Sequence, residues 1–345
     1  MKAIIALEDG TIFEGTSFGA EGEKVGEVVF NTQIIGYQEI LTDPAYRGQI
    51  VAMGYPHIGN YGINDRCFES DATFALALIV KEYSKIVSNW QAKGSLGDYM
   101  KKNNIIGIEG IDTRSLTIHI RDHGEMKGIV STKDFDKTSL VKKAKSEIRI
   151  SKYEIPTLRS GSRFSAEGGN IGTNSKTLVI DIGVNNTILN KYPGAGIVSA
   201  DITAEKILAM GAEEVVVSSG PGDPRQLSDL IGEIKKLIGK VKINGFQNGA
   251  CVVAQALGCP IYRMKVGHHG MNHPVVDPKT GKGEITSQNH SYGIEKVPAN
   301  VEVVHINLND KTIEKIKTKD GSCEAALYFP IDERGKLPAD YRYVV

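Results

Sequence analysis

At 345 residues the chain is long enough for two domains, each with a full core. Forty-one Lys and Arg balance 41 Asp and Glu, so no net charge draws it to a nucleic acid backbone or an anionic membrane surface, and neither is an expected partner. Cys67, Cys251, Cys259 and Cys323 lie far apart with no CxxC pair, which fits thiols kept reduced in a cytosol. The start, MKAIIALEDGTIFEG, puts Glu8 and Asp9 directly after a short apolar run and has no small-residue cleavage site. The longest apolar run, Phe74 to Val80, is the length of a strand and not of a membrane span. The expectation is a soluble, cytoplasmic protein.

Residues 1 to about 130 read as short strands broken by turns, an α+β domain in which strands dominate. Ala3 to Leu7 and Thr11 to Glu14 flank Asp9-Gly10, a two-residue hairpin signal. Val25 to Asn31 reads as a strand, and Pro44 should stop any regular element that Gly36 to Asp43 begins. GYPHIGNYGIND, Gly54 to Asp65, has the glycines of a loop with special backbone angles. Phe74 to Val80 and Ile105 to Ile108 read as buried strands, Leu96 to Asn103 and Thr113 to Asp122 as helices. Asp65, Arg66, Glu69 and Asp71 read as a solvated charged face. Domain boundaries are expected at 1–150, with a linker at 151–176 and a second domain at 177–345; the Ser- and Gly-rich TLRSGSRFSAEGGNIGTNSK marks the connection.

Beyond the linker the rhythm becomes strand, helix, strand. Thr177 to Asp181, Glu214 to Ser218 and Lys242 to Gly245 are apolar strands; Thr203 to Met210, Ser228 to Ile238 and Ala250 to Leu257 are helices. This alternation predicts a parallel sheet flanked by helices, an α/β fold whose ligands gather at the carboxyl ends of the strands. KKLIGKVK, Lys235 to Lys242, reads as an exposed helix end.

Two loops at those ends are informative. SSGPGDP, Ser218 to Pro224, is either a cradle of backbone N–H groups for an oxyanion or carboxylate, or a sharp turn and nothing more. GFQNGACVVAQALG, Gly245 to Gly258, has the Gly-x-Nuc-x-Gly frame of a nucleophile elbow, but Gln247 stands at the nucleophile's place. A carboxamide is no usable nucleophile at neutral pH. Further on, His268, His269, His273 and His290 crowd one region; the glycines around HHxxxH indicate a loop, the spacing is a weak ligand signal, and no metal is expected.

Across nearly its whole length the chain resembles the glutamine-hydrolysing small subunit of carbamoyl-phosphate synthase. The first half carries the resemblance through LEDGTIFEG, GEVVFNT, GYQEILTDPAY, YPHIGN and IDTR. The second half resembles that subunit's class I glutamine amidotransferase domain through DIGVNNTIL, SSGPGDP, KVGHHGMNHPV and ITSQNHSYGI. The family elbow Gly-x-Cys-x-Gly-His-Gln falls on Gly245, Phe246, Gln247, Asn248, Gly249, Ala250 and Cys251, and its later His-Pro-Glu falls on Phe329, Pro330 and Ile331. All three triad positions, Gln247, Phe329 and Ile331, are thus replaced.

The resemblance implies that Ala45 stands where the family has a substrate-binding serine, Cys251 where it has a glutamine, and Ser291-Tyr292 where it has Gly-Phe. Gly220, Gly222 and Asn289 remain as the family has them, and Asn248 lines the same pocket. It further implies a glutaminase-dead subunit whose partner is the carbamoyl-phosphate synthase large subunit. ATP and Mg would belong to that partner, leaving this chain without a cofactor. Arg114 would serve subunit contact. The alternatives are an active amidotransferase whose displaced nucleophile would first be sought at Cys251, a stand-alone module binding another small ligand at Gly220, Asn248 and Asn289, and a pseudoenzyme that pairs with a different enzyme.

Overall fold

The computed structural model describes residues 1–146 and 175–329; Ile331 and nearly all of the expected linker lie outside them. The described residues form two compact units, one of residues 1–146 with 265–270, the other of 175–264 with 271–329. No helix among them is long and apolar enough to cross a membrane.

The first unit contains, in chain order, β1 (Lys2–Leu7), β2 (Ile12–Ser17), β3 (Glu23–Asn31), α1 (Tyr37–Thr42), β4 (Gln49–Met53), β5 (His57–Ile58), β6 (Ala77–Ile79), β7 (Glu82–Tyr83), α2 (Leu96–Lys102), β8 (Ile106–Glu109), α3 (Thr113–His123), β9 (Met126–Ser131) and α4 (Lys137–Ala144). Seven strands close into a barrel in the order β1-β2-β8-β6-β4-β3-β9. The Asp9-Gly10 turn joins β1 to β2 as expected, pairing Ala6 with Ile12 with Gly10 at φ 99°. The unbroken apolar run of β1 is buried on both faces. Ala3, Ile5 and Leu7 share a cluster with Leu116 and Ile120 of α3, whereas Ile4 and Ala6 pack with Leu140 and Ala144 of α4. Period-two alternation thus divides one strand between two helices.

One reading of this unit is corrected and another is borne out with an addition. Glu69 is buried, its backbone N–H donating to Thr42 Oγ1 at 3.0 Å, so the charged stretch is not one solvated face. Pro44 does end α1, but it also opens a short 3-10 helix, Pro44–Tyr46, because its fixed φ suits a first helical turn.

The second unit contains β10 (Thr177–Asp181), α5 (Asn186–Lys191), β11 (Gly196–Ser199), α6 (Ala204–Ala209), β12 (Glu214–Val217), α7 (Ser228–Leu237), β13 (Lys242–Phe246), α8 (Asn248–Ala256), β14 (Ile261–Val276), β15 (Gly283–Ile294), β16 (Val301–Asn307), β17 (Ile313–Thr318), β18 (Cys323–Ala326) and β19 (Tyr328–Phe329). Residues 265–270 of β14 group with the first unit. The sheet order is β11-β10-β12-β13-β18-β17-β16-β14-β15-β19. The first five strands are parallel; β10, β12 and β13 are those the strand and helix rhythm predicted, and β11 and β18 extend the run on either side. Helices cover both faces: Leu178 and Ile180 of β10 pack with Ile207 of α6 and Ile234 of α7, and Val179 with Ile188 of α5. Thr203 opens α6 as expected, its Oγ1 accepting from Lys206 N at 3.3 Å.

The remaining strands carry antiparallel pairings, among them β16 with β17 and β17 with β18. Here the expectation of a loop around His268–His273 is overturned, since all three histidines of HHxxxH lie within β14. The cluster itself divides: His268 and His269 belong to the first unit, His273 and His290 to the second. His269 Nε2 lies 2.9 Å from Glu125 Oε1, which also accepts from Gly267 N at 2.7 Å; both side chains are buried. His290 Nδ1 sits 2.9 Å from Tyr292 O, and its Nε2 3.4 Å from Glu314 Oε2.

Candidate functional site

In the second unit the loops after β10, β12 and β13 meet at the carboxyl ends of three adjacent parallel strands. Asp181 Oδ1 accepts from Gly183 N and Val184 N, both at 2.8 Å, and so folds the first loop back. Ser218 Oγ accepts from Ile182 N at 3.0 Å and donates to Ser219 O at 2.9 Å, joining the first loop to the second. The approach is so close that a Cβ on Gly220 would lie 1.8 Å from Ile182 O, a contact no side chain tolerates. At the far end of this loop, Asp223 caps a 3-10 turn, Pro224–Gln226, and pairs with Arg225 at 2.7 Å. The Arg225 guanidinium lies 5.3 Å from the Tyr292 ring centre, and burial raises that phenol's pKa.

The third loop is the elbow. Gln247 adopts φ 50° and ψ −118°, a strained region for a residue with a Cβ, and it caps α8. Neighbouring backbone holds it there: Gln247 N donates to Ala326 O at 2.9 Å, and Cys251 N to Gln247 O at 3.2 Å. Both elbow glycines are needed for packing. A Cβ on Gly245 would lie 2.6 Å from Gly249 O, and one on Gly249 would lie 2.2 Å from Ser218 O. The Gln247 side chain is buried, and its Oε1 has no hydrogen-bond partner among the described residues. The turn of a nucleophile elbow is therefore intact, with a carboxamide at its tip.

At the position of the expected base, Phe329 sits in β19, paired through Ser287 to β15. Its ring centre is 6.2 Å from that of Phe246, which lies 6.2 Å from Tyr192 and has Lys191 Nζ 5.9 Å from its centre. Phe329, the residue expected at the base's place, thus packs its ring among aromatic neighbours, and a phenyl ring accepts no proton at neutral pH. Ile331 lies outside the described residues.

Cys251 sits within α8, fully buried, and burial pushes its thiol pKa far up, with Glu314 and Asp223 adding to the rise. A neutral thiol closed off from solvent is not a nucleophile, so the displaced role considered for Cys251 has no support in its surroundings. Asn248 links two of the loops. Its Nδ2 donates to Gly220 O at 2.6 Å and Gly222 O at 3.1 Å, tying the elbow to the glycine loop. On β15, Asn289 is half buried, whereas Ser291 and Tyr292 are buried. Ala45 belongs to the first unit, buried in the Pro44–Tyr46 turn, where its N–H donates to Asp43 Oδ1 at 3.0 Å.

One polar group escaped the sequence reading. Tyr328, beside Phe329, is buried with its hydroxyl 2.5 Å from His305 Nδ1 and 3.3 Å from Glu284 Oε1. Burial raises the phenol's pKa and lowers that of His305. Nothing in LYF announces this contact, because its partners come from β15 and β16.

The parallel sheet, the elbow leading into α8 and the glycine loop locked against it define an amidotransferase-type domain, and residues 178–326 match the family model for class I glutamine amidotransferase. Residues 5–130 match the carbamoyl-phosphate synthase small chain, CPSase domain. The carbamoyl phosphate synthase small chain of Aquifex aeolicus is 44% identical over 359 residues, covering 99% of this chain and 96% of that one. Those of Nitratidesulfovibrio vulgaris and Archaeoglobus fulgidus are 42% and 41% identical, each over 99% of this chain and 96% of theirs. The chain belongs to the carbamoyl-phosphate synthase small chain family.

Proposed function

We propose that this chain is a glutaminase-dead small subunit of carbamoyl-phosphate synthase, and that it holds an ammonia-using large subunit in its working conformation in the cytoplasm. The observation that carries this reading is Gln247 at the tip of an otherwise intact elbow, with φ 50° and a buried side chain. The aromatic packing of Phe329 on Phe246, at the place of the base, supports it. A fold and an interface rest on glycines and apolar residues that changes at three triad positions leave alone. ATP and Mg act on the partner, and this chain brings no cofactor, metal, nucleic acid or membrane contact of its own. Residues Gly220, Gly222, Asn248, Asn289, Ser291 and Tyr292 then serve as remnants of a glutamine pocket that now stabilises the domain.

The direct test is glutamate release from glutamine by the purified chain, alone and with its cognate large subunit. Loss of a catalytic triad costs about ten-thousand- to a million-fold in turnover in other hydrolases. Release at the buffer background is expected in both samples. Turnover at a rate typical of enzymes, about 1 per second or faster, would restore the reading of an active amidotransferase.

A further inference from the structure

A polar cluster away from the elbow joins three strands of the second unit: His305 of β16, Tyr328 of β19 and Glu284 of β15. The Tyr328 hydroxyl lies 2.5 Å from His305 Nδ1 and 3.3 Å from Glu284 Oε1, and His305 Nδ1 is 3.5 Å from the same carboxylate oxygen. In the sheet order β16-β14-β15-β19, the strands that carry His305 and Tyr328 are not neighbours. Their contact is therefore a side-chain tie between strands that no backbone ladder joins.

The tie matters most to β19. That strand stands last in the sheet order, and among the described residues it holds to β15 through two pairs, Ser287 with Phe329 and Gln288 with Tyr328. So short an edge strand opens easily unless side chains hold it. Its Phe329 packs on Phe246, the residue directly before Gln247. What fixes Tyr328 thus also keeps this pair of rings together.

The partners decide which way the proton points. Tyr328 is 2% exposed and burial raises its phenol pKa, so the hydroxyl keeps its one proton to give. The shorter contact, to Nδ1, receives it, which requires a neutral imidazole with its hydrogen on Nε2. The surroundings favour that neutral ring. Burial is the largest influence and lowers the pKa of His305; Lys315 of β17 adds to the drop, against the carboxylates of Glu284, of Asp277 after β14 and of Glu324 on β18. Lys315 and Glu324 offset each other in an ion pair at 2.7 Å. The His305 side chain is still 19% exposed, so solvent protons reach it. Once charged, the ring has no lone pair at Nδ1 with which to accept from Tyr328, and Glu284 becomes its favoured partner.

We propose that His305, Tyr328 and Glu284 form a pH-sensitive switch that ties β19 across the sheet while the imidazole is neutral and releases it when the imidazole is charged. The tie is complete above about pH 6.5, the ordinary histidine value, and is lost as pH falls through the lowered value of His305. The sign follows from proton binding: between those two values the released histidine binds more protons than the tied one, so acid favours release. Acidification loosens Phe329 from Phe246 and leaves the parallel strands in place.

The test is a titration of the histidine rings in the full chain labelled with nitrogen-15 histidine, the His305 signals being assigned by their loss in His305→Gln. Above pH 7 they should report the Nε2–H tautomer, and the midpoint should lie below about 6.5. Tyr328→Phe removes a donor that favours the neutral ring and should raise the midpoint, whereas Glu284→Gln removes a carboxylate that favours the charged ring and should lower it. Hydrogen exchange, corrected for the intrinsic effect of pH, should show the β19 amides opening about 5-fold more often below the midpoint, as for the loss of one hydrogen bond. In His305→Gln, whose carboxamide oxygen accepts from Tyr328 at every pH, that change should vanish. An Nδ1–H tautomer, a midpoint that Tyr328→Phe lowers or leaves unchanged, or β19 exchange that does not follow the wild-type titration would overturn the proposal. No readout involves glutamine, so the switch and the proposed function stand or fall separately.

Discussion

Replacing Gly249 by Ala lowers the stability of the second unit by about 3 kcal/mol, the upper end of the usual overpacking range. Helix propensity argues the other way, since Ala is the better helix former by about 0.5–1 kcal/mol. The clash decides. The new Cβ would lie 2.2 Å from Ser218 O and 2.3 Å from Val217 O. Both are backbone atoms at the end of a central strand, so neither can rotate away, and α8 would have to lift off the sheet. At about 2–4 °C per kcal/mol for a domain of this size, the thermal midpoint should fall by roughly 6–12 °C. Gly232→Ala in α7 is the control, because a Cβ there meets nothing within 4 Å. It should raise the midpoint slightly. Equal midpoints for Gly249→Ala and wild type, measured by calorimetry, would contradict the packing of α8 on β12.

Two residues earlier the opposite sign is expected. Gln247→Gly should stabilise the unit by about 1–2 kcal/mol, even though glycine is normally the costly choice. Strained backbone in a residue with a Cβ costs about 1–3 kcal/mol, and a buried acceptor without a partner costs about another 1–3 kcal/mol. Both penalties meet in Gln247, at φ 50° with an Oε1 that has no partner among the described residues. Against them stand the packing of the side chain, which is 2% exposed, and glycine's extra freedom in the unfolded chain, about 0.5–1 kcal/mol. Gln247→Ala separates the terms: it removes the carboxamide but keeps the strain, and should gain less than Gln247→Gly. Urea unfolding of the three proteins would show the order. A Gln247→Gly protein less stable than wild type would mean that the side chain contributes more than its surroundings reveal.

The same contrast shows which parts of the molecule were legible in the sequence. The elbow could be read because its signal is local: two glycines at fixed spacing, a strand before them and an apolar helix after. Both strands of the first hairpin and the three parallel strands β10, β12 and β13 followed from apolar runs bounded by turn residues, whereas β11 and β18 did not. What failed depended on distant partners. HHxxxH reads as a loop because glycines surround it, yet it lies within one long strand, Ile261–Val276, whose far end pairs with β16. Glu69 looks solvated among its charged neighbours, and only the fold of the chain around Thr42 buries it. Asn248 could be placed near the pocket from its position after Gln247, but its bonds to Gly220 and Gly222 belong to another loop. The ring of Phe329 against Phe246 likewise joins residues 83 positions apart by number.

The account's central claim is that the elbow is kept for its fold while the nitrogen comes from elsewhere. It is tested most directly by carbamoyl-phosphate formation in a mixture of this chain and its cognate large subunit, with either glutamine or ammonium chloride as donor. Product from ammonium alone, formed faster than by the large subunit without this chain, is the predicted result. Product from glutamine at a comparable rate would contradict it.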